Sequence, residues 1–252
     1  MRTSALLKLS LWLILTAAAL GSSAIAEADP WKFGVMSDTQ WTVPDDGKNP
    51  NTVAVGIIDQ IDQEFIKNKV KFVIQVGDLV DSFSPAAMDT RAQAAQSLYD
   101  AGIGFFPLRG NHEGSQAAAL QFQTTFLQTR GTGTHVFGAR NFTSPFASLT
   151  GLSYSFDYAD ARFLLLDQFT RTDGTGSTNT NIIDQQDWIN GTLAGRPANG
   201  HAFVFSHKNL IGENHTDVLF GANPSSNPAA QNAFIGSMSM QAPTVAARPP
   251  RK

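Results

Sequence analysis

The sequence predicts an α/β fold built around a sheet with parallel strands. Five apolar runs of strand length are rich in Val, Ile, Leu and Phe, and the segments between the first three carry apolar residues at helical spacing. Strands that alternate with helices are typical of βαβ units, in which neighbouring strands run parallel. The predicted strands are Trp31–Ser37, Lys71–Val76, Ile103–Leu108, Arg162–Leu166 and Ala202–Phe205.

Two predicted helices connect the first three strands. Within Asn51–Lys69, apolar residues recur every three or four positions, and polar residues occupy the opposite face. The second helix, Pro85–Ala101, begins after Ser84, which can serve as the N-cap before a proline at the first helical position. Gly102 then suits the position just past the helix end.

The second half of the chain predicts a helix, a hairpin and a further helix. Ser115–Arg130 has a helical pattern, whereas Leu152–Tyr158 alternates apolar and polar residues as a half-exposed strand does. A short turn separates this strand from Arg162–Leu166, which predicts a β-hairpin. A short helix is expected around Gln185–Leu193. Because the sequence shows no internal repeat, we expect a single domain.

Composition and charge exclude several classes of protein. The chain has 252 residues, a net charge of −3 and no cysteine, so disulfides and thiolate chemistry do not contribute. No basic run lies between the N-terminal segment and the last few residues, which gives no signature of nucleic-acid binding. The P-loop and the nucleophile-elbow motifs are also absent from the sequence. Any metal site must use Asp, Glu, Asn, Gln or His side chains.

The N-terminal residues predict a secretory signal peptide over residues 1–26. Arg2 and Lys8 precede an apolar run, Leu9–Leu20, and small residues follow up to Ala26. We therefore expect a secreted or periplasmic protein with no membrane span after cleavage, the alternative being an uncleaved anchor. One domain is expected over residues 27–239, and a disordered tail rich in Ala and Pro over residues 240–252.

Residues with metal-binding side chains follow four of the predicted strands. Asp38 follows the first strand, Asp78 the second, and Asn111 with His112 the third. His207 follows the last. The carboxyl ends of the strands border the ligand crevice in α/β sheets, so we expect these residues to meet at one edge of the sheet. A pair of divalent cations would offset the cost of placing aspartates beside a core.

Four motifs in this order resemble the signature blocks of calcineurin-like metallophosphoesterases. They are DTQ at 38–40, GDLVD at 77–81, GNHE at 110–113 and SH at 206–207, and each follows a predicted strand. The resemblance implies a four-layer αββα sandwich that binds two divalent ions, Mn, Fe or Zn. It also implies hydrolysis of a small-molecule phosphate mono- or diester, in which a hydroxide bridging the ions attacks phosphorus.

The resemblance implies five metal ligands. Asp38 and Gln40 would bind the first ion, and Asp78 would bridge the two. Asn111 and His207 would bind the second ion. The family usually has His where this chain has Gln40, whose amide oxygen is a weaker donor than an imidazole. We therefore expect either coordination of a harder ion such as Mn²⁺ or a hydrogen bond to a metal-bound water.

Two further residues would take part in catalysis if the resemblance holds. His112 would contact the phosphate or protonate the leaving oxygen, and Arg109 would help to neutralise the phosphate. Asp81 would orient its own loop or a neighbouring ligand. Asp167, which follows the fourth predicted strand, either lines the pocket or acts as a helix cap or turn residue.

The closing G-H-x-H block of the family is absent from the sequence. The only histidine after His207 is His215, which we expect in a loop over the crevice rather than as a replacement ligand. Each ion would then lose one of about four protein ligands, and the sandwich would lack its last strands and expose an edge. Two alternatives to an active enzyme follow: a binding protein that keeps the fold without the chemistry, and a product that does not fold stably.

Overall fold

The computed structural model describes residues 30–177, 181–198, 200–210, 217–222 and 227–240. The elements below belong to one compact unit, Lys32–Lys252. The predicted signal peptide, residues 1–26, lies outside the described residues, as do residues 241–252 of the predicted tail. Within the described ranges, no helix has the length and apolar character needed to cross a membrane.

The first sheet consists of three parallel strands, which confirms the predicted βαβ arrangement. The strands are β1 (Gly34–Met36), β2 (Phe72–Val76) and β3 (Gly104–Leu108), in that order across the sheet. Gly34 lies opposite Val73, and Phe72 lies opposite Gly104. The carboxyl ends of all three strands therefore lie at the same edge of this sheet.

Four helices cover the outer face of the first sheet. They are α1 (Val55–Lys67), α2 (Pro85–Ala94), α3 (Gln96–Asp100) and α4 (Gln116–Thr125). The hydroxyl of Ser84 accepts a hydrogen bond from the Ala87 N–H at 3.1 Å, which confirms the predicted N-cap of α2. The helix expected over 85–101 is divided at Ala95. Ile58, Met88 and Phe122 pack with Val73 and Phe105 of the sheet in one buried cluster.

The second sheet is mixed. Its strands are β4 (Arg140–Thr143), β5 (Tyr154–Tyr158), β6 (Ala161–Leu166) and β7 (His201–Ser206), in that order. β5 and β6 form the predicted antiparallel hairpin, and β7 runs parallel to β6. β4 was not predicted, because its four residues follow a Gly/Thr stretch and carry no extended apolar pattern. A short hairpin, β8 (Asp217–Val218) with β9 (Gly221–Ala222), follows.

Helices also cover the second sheet, at α5 (Asn181–Asp184), α6 (Gln186–Ala194) and α7 (Pro228–Met240). α6 agrees with the helix expected around Gln185–Leu193. Leu164 of β6 packs with Ile189 of α6 and Phe234 of α7 in a second buried cluster. Met240, assigned from the sequence to the tail, is the last residue of α7, which is rich in Ala, Ser and Met and has no clear apolar stripe.

Aromatic side chains fill the space between the two sheets. Phe72 of β2 lies 5.0 Å from Phe163 of β6, measured between ring centroids, and Phe106 of β3 lies 4.4 Å from Phe156 of β5. Because side chains alternate along a strand, Phe72 points towards the other sheet while Val73 points towards the helices. The layers are thus helix, sheet, sheet and helix, and the predicted αββα fold class is confirmed.

A buried carboxylate on α1 makes the stability of this fold depend on pH. Asp62 is fully buried, and its Oδ1 has no hydrogen-bond partner among the described residues, while Oδ2 accepts only a 3.4 Å bond from Ser97. Burial raises the pKa of Asp62 from 3.8 to about 6, although the charge of Arg91 acts against this. Between pH 3.8 and about pH 6, Asp62 keeps its proton in the folded protein but has lost it in the unfolded chain. The free energy of unfolding therefore falls as the pH rises through this range.

We expect Asp62→Asn to raise the unfolding temperature at pH 7.5 and to change it little at pH 4, because the amide is uncharged at both. A shift of about two pKa units corresponds to roughly 3 kcal/mol, which sets the upper limit of the gain. Differential scanning calorimetry at the two pH values measures the effect. Asp59→Asn, on the exposed face of α1, is the matched control. An unfolding temperature lowered at pH 7.5 would contradict the prediction.

Candidate metal centre

Gln40, Asp78, Asn111 and His207 meet at one end of the sandwich, but they come from two sheets and not from one. The carboxylate of Asp38 is exposed and is hydrogen-bonded to the Ser37 hydroxyl. Asp38, Asp78 and Asn111 follow strands of the first sheet, whereas His207 follows β7 of the second. His207 bridges the sheets, since its Nδ1 lies 3.0 Å from the carbonyl oxygen of Val76 on β2. The expectation of a single sheet edge is corrected: β7 pairs with β6, and stacking of the two sheets brings their strand ends together.

Asp78 is at the centre of this cluster. The residue is 4% exposed, and its Oδ1 accepts a hydrogen bond from the backbone N–H of His112 at 3.2 Å. The same oxygen lies 3.4 Å from Nε2 of His207. Its Oδ2 lies 3.3 Å from the side-chain amide of Gln40 and 3.8 Å from Nε2 of His112. Both carboxylate oxygens thus face predicted site residues, as a shared ligand requires.

The hydrogen bonds of His207 indicate what fits between these side chains. A carbonyl oxygen can only accept, so the bond to Val76 places a proton on Nδ1. In the neutral ring Nε2 is then an acceptor, and it lies 3.0 Å from Oδ1 of Asn111 and 3.4 Å from Oδ1 of Asp78. In this orientation of the Asn111 amide the three atoms are all acceptors, and a divalent ion among them would satisfy all three. A second proton on the ring, or rotation of the amide so that its NH₂ group faces Nε2, would do so in the absence of a metal. The donor set therefore fits a divalent ion.

Gln40 lies between the two aspartates. In one orientation its amide donates to Oδ2 of Asp78 at 3.3 Å, but the amide oxygen then faces the backbone carbonyls of Asp38 and Asp78. In the other orientation the NH₂ group donates to both carbonyls at 3.2 Å. We favour the second, because it satisfies two carbonyl acceptors and turns the amide oxygen towards Oδ2 of Asp78. Gln40 and Asp78 then face each other as two ligands of one cation do.

Both predicted aspartate ligands have strained backbone conformations. φ is 54° at Asp38 and 45° at Asp78, in the left-handed region that residues with a Cβ rarely adopt. Such conformations cost on the order of 1–3 kcal/mol each and cluster at functional sites. The N–H of Asp38 donates to the carbonyl of Gly77 at 3.2 Å, and its carboxylate is hydrogen-bonded to the Ser37 hydroxyl. The loops that carry the two aspartates are therefore joined directly.

His112 is held with one ring nitrogen turned towards Asp78. Its Nδ1 lies 2.5 Å from the carbonyl oxygen of Asp81, and its Nε2 faces Oδ2 of Asp78. The hydrogen bond to the Asp81 carbonyl raises the pKa of His112, and the charge of Asp78 adds to this effect. The side chain is 31% exposed, so the ring edge is open to a ligand. Asp81 orients this imidazole through its backbone oxygen, and its carboxylate Oδ1 also lies 3.7 Å from Nδ1.

Arg109 does not have the expected place beside a phosphate. Its side chain is fully buried and pairs with Asp167 through bonds of 2.6 and 2.9 Å. The guanidinium also donates to the carbonyls of Glu113, Ser115 and Thr170, so all five of its N–H groups are used. No donor remains for a substrate. We therefore replace the catalytic assignment of Arg109 with a structural one. Asp167 is its partner and also acts as the expected turn residue, since its Oδ1 accepts the backbone N–H of Phe169 at 2.9 Å.

Glu113 is a site-supporting residue to which the sequence interpretation gave no role. Its carboxylate is fully buried and accepts the backbone N–H of Gly110 and the N–H of Val80, both at 2.9 Å. Burial raises the pKa of Glu113, while these backbone hydrogen bonds act against the rise. The two bonds fasten the loop after β2 to the loop after β3. Its place in the GNHE motif was the signal that could have identified it.

The described residues bring no third histidine to the site. His135 stacks on Tyr99 with ring centroids 3.8 Å apart, and His201 is the exposed first residue of β7. His215 lies outside the described residues. Over the ranges that the structure describes, no three His, Asp or Glu side chains form a group that could hold a metal. Among the described residues, the further ligands available to a metal centre here are the amide oxygens of Gln40 and Asn111.

Comparison with known proteins identifies the family. The sequence model of the calcineurin-like phosphoesterases matches residues 32–228, so the chain belongs to this family. Its structure is similar to the crystal structure of a dimetal phosphatase from Danio rerio, with a TM-score of 0.50 and 13% sequence identity. The similarity covers 83% of this chain and 77% of that one, and it shows a shared fold. No curated protein matches the sequence.

We expect Gly110→Ala to weaken Mn²⁺ binding by at least about tenfold, because the new methyl group would displace Asp78. A Cβ at Gly110 would lie 2.0 Å from Oδ1 and 2.2 Å from the backbone N of Asp78. Isothermal titration calorimetry measures the affinity. In Gly191→Ala, the control on α6, the methyl group meets no atom within 4 Å and should stabilise the helix by up to about 1 kcal/mol. Equal affinities in the two variants would contradict the prediction.

Proposed function

We propose that this chain is a metal-dependent hydrolase of small-molecule phosphate esters that acts outside the cytoplasm. The observation that carries the proposal is the approach of Nε2 of His207 to Oδ1 of Asn111 and Oδ1 of Asp78, at 3.0 and 3.4 Å. A divalent ion among these three groups would be bound by all of them. The signal-like sequence of residues 1–26 supports the extracytoplasmic location.

The residues divide into two sets that share Asp78. Asn111 and His207 would hold one divalent ion with Asp78, while Asp38 and Gln40 would hold the other. Because carboxylate and amide oxygens outnumber imidazoles, the sets suit a hard cation such as Mn²⁺. When bound, divalent ions would polarise the phosphoryl group and lower the pKa of the attacking water.

His112 is positioned to contact the substrate. The carbonyl of Asp81 accepts a hydrogen bond from Nδ1–H, which leaves Nε2 to exchange a proton or donate a hydrogen bond on the Asp78 side. We propose that Nε2 protonates the leaving oxygen or binds a phosphoryl oxygen. Lys208 directly follows His207, and burial lowers the pKa of its ammonium group, while the charge of Asp78 acts in the opposite direction. We propose Lys208, in place of Arg109, as the cation that balances the charge of a bound phosphate.

A second candidate is a binding protein that keeps the fold without turnover. The small number of imidazole ligands favours it, because only His207 among the described histidines is placed to bind an ion. Such a protein would bind a metal ion or a phosphate ester and release it unchanged. Metal content and turnover, measured on the same preparation, distinguish this candidate from the enzyme.

We expect the purified chain to bind Mn²⁺ and to hydrolyse an aryl phosphate or its bis-ester, and Asp78→Asn to reduce turnover by roughly 100-fold or more. The amide keeps the shape of the side chain but removes the charge that both ions would share. Elemental analysis and a chromogenic assay measure the two properties. Asp187→Asn, on the exposed first turn of α6, is the matched control.

The same experiment separates the candidates. Metal binding with turnover that Asp78→Asn abolishes supports the enzyme. Metal binding without turnover supports the binding protein. Turnover that survives Asp78→Asn would overturn the proposed site.

A further inference from the structure

A buried arginine lies next to the loops that follow β1 and β2, which carry Asp38 and Asp78. Arg91 on α2 is fully buried, and its guanidinium carbon lies 4.4 Å from the centre of the Phe105 ring. Its Nη1 has no hydrogen-bond partner among the described residues, and its Nη2 donates to the sulfur of Met36 at 3.3 Å. The charge of Asp62 acts on Arg91, but the two side chains form no ion pair within 4 Å. Because a buried charge without a paired carboxylate is costly, the contacts that Arg91 does make call for an explanation.

Those contacts lead towards the metal site. The Nε–H of Arg91 is shared between Oε1 of Gln75, at 2.8 Å, and Oγ1 of Thr39, at 3.2 Å. Gln75 in turn donates to Oγ1 of Thr39 at 2.7 Å and to the carbonyl of Gly77 at 3.3 Å. A chain of buried hydrogen bonds therefore connects α2 to the residue directly before Asp78.

Thr39 is the point where this network reaches both loops. It lies between Asp38 and Gln40, and its hydroxyl accepts two hydrogen bonds and donates one to the carbonyl of Leu79 at 3.3 Å. The hydroxyl thus uses its full hydrogen-bonding capacity. The backbone N–H of Thr39 also donates to the carbonyl of Asp78 at 2.9 Å. Each of the two strained aspartates has a neighbour that belongs to the network.

We propose that Arg91 is a positioning residue of the metal centre, which through Gln75 and Thr39 holds Asp38 and Asp78 in their left-handed conformations. The inference rests on the proposed function, since it assumes that these aspartates bind divalent ions. The network fixes the backbone on both sides of the site, so that the carboxylates are in place before an ion arrives. Arg91 touches neither ion nor substrate in this account.

The test measures metal affinity and stability separately. Arg91→Met removes the guanidinium and leaves Oε1 of Gln75 without its donor and Asp62 without a nearby positive charge, so the unfolding temperature should fall. The affinity of the full chain for Mn²⁺ should fall by roughly 10- to 100-fold, as measured by isothermal titration calorimetry. Arg162→Met is the matched control, because Arg162 pairs with Asp157 and donates to the Thr192 carbonyl instead. It should lose stability and keep its Mn²⁺ affinity.

Thr39→Val tests whether Arg91 acts on the aspartates through the Thr39 hydroxyl. It removes only the hydroxyl and should weaken Mn²⁺ binding to a similar degree. The double variant Arg91→Met/Thr39→Val should bind Mn²⁺ as tightly as whichever single variant has the lower affinity. The two losses should not add, because both residues act through one network. If Arg91→Met does not fold, the Mn²⁺ affinity of the folded Thr39→Val variant tests the inference instead.

The outcomes separate this inference from the proposed function. A folded Arg91→Met, or a folded Thr39→Val in its place, that binds Mn²⁺ within twofold of the unchanged chain would overturn the positioning role alone. Additive losses in the double variant would overturn the shared route. An unchanged chain that binds no Mn²⁺ would overturn the proposed function instead.

Discussion

The structure depends on the close approach of hydrogen-bond acceptors across the two sheets. Asp78 and Asn111, from the first sheet, and His207, from the second, face one another at 3.0 to 3.4 Å. Glycine is needed to allow this approach, since a Cβ at Gly77 would lie 2.3 Å from Nδ1 of His207. The aromatic layer between the sheets sets the separation of the strands, and hence the place where their ends meet. In the proposed site, a divalent ion would be bound by these three groups and would offset the cost of placing an aspartate beside a core.

Buried polar groups surround this centre and hold its loops. Glu113 joins the loops after β2 and β3, and Arg109 with Asp167 joins the loop after β3 to the end of β6. Arg91 reaches the loops after β1 and β2 from below. Removing one partner of such a buried pair is far more destabilising than the net contribution of the pair suggests. The fold therefore carries costly buried charges on several sides of a site whose backbone is itself strained.

The sequence predicted the elements with strong apolar periodicity and missed those without it. The three strands of the first sheet and the β5–β6 hairpin are apolar enough to identify, whereas β4 and α7 are polar or rich in small residues. Motif order predicted the ligands, and that assignment stays a prediction; the convergence of their strand ends from two sheets depends on strand pairing that no local pattern encodes. The pairing of Arg109 with Asp167 joins residues 58 positions apart, and no local sequence pattern predicts it either. Arg91 did leave a signal: it lies at helical spacing from Met88 and Ala95, a charge within an apolar stripe.

The donor set distinguishes this centre from one built on imidazoles. Two amides and two aspartates accompany His207, so the account requires a hard divalent ion held by amide and carboxylate oxygens. The most direct measurement is an anomalous difference map from crystals grown with Mn²⁺. The account predicts a peak bounded by the side chains of Asp78, Asn111 and His207. Full occupancy of Mn²⁺ elsewhere in the molecule, with these three side chains in contact only with one another, would contradict it.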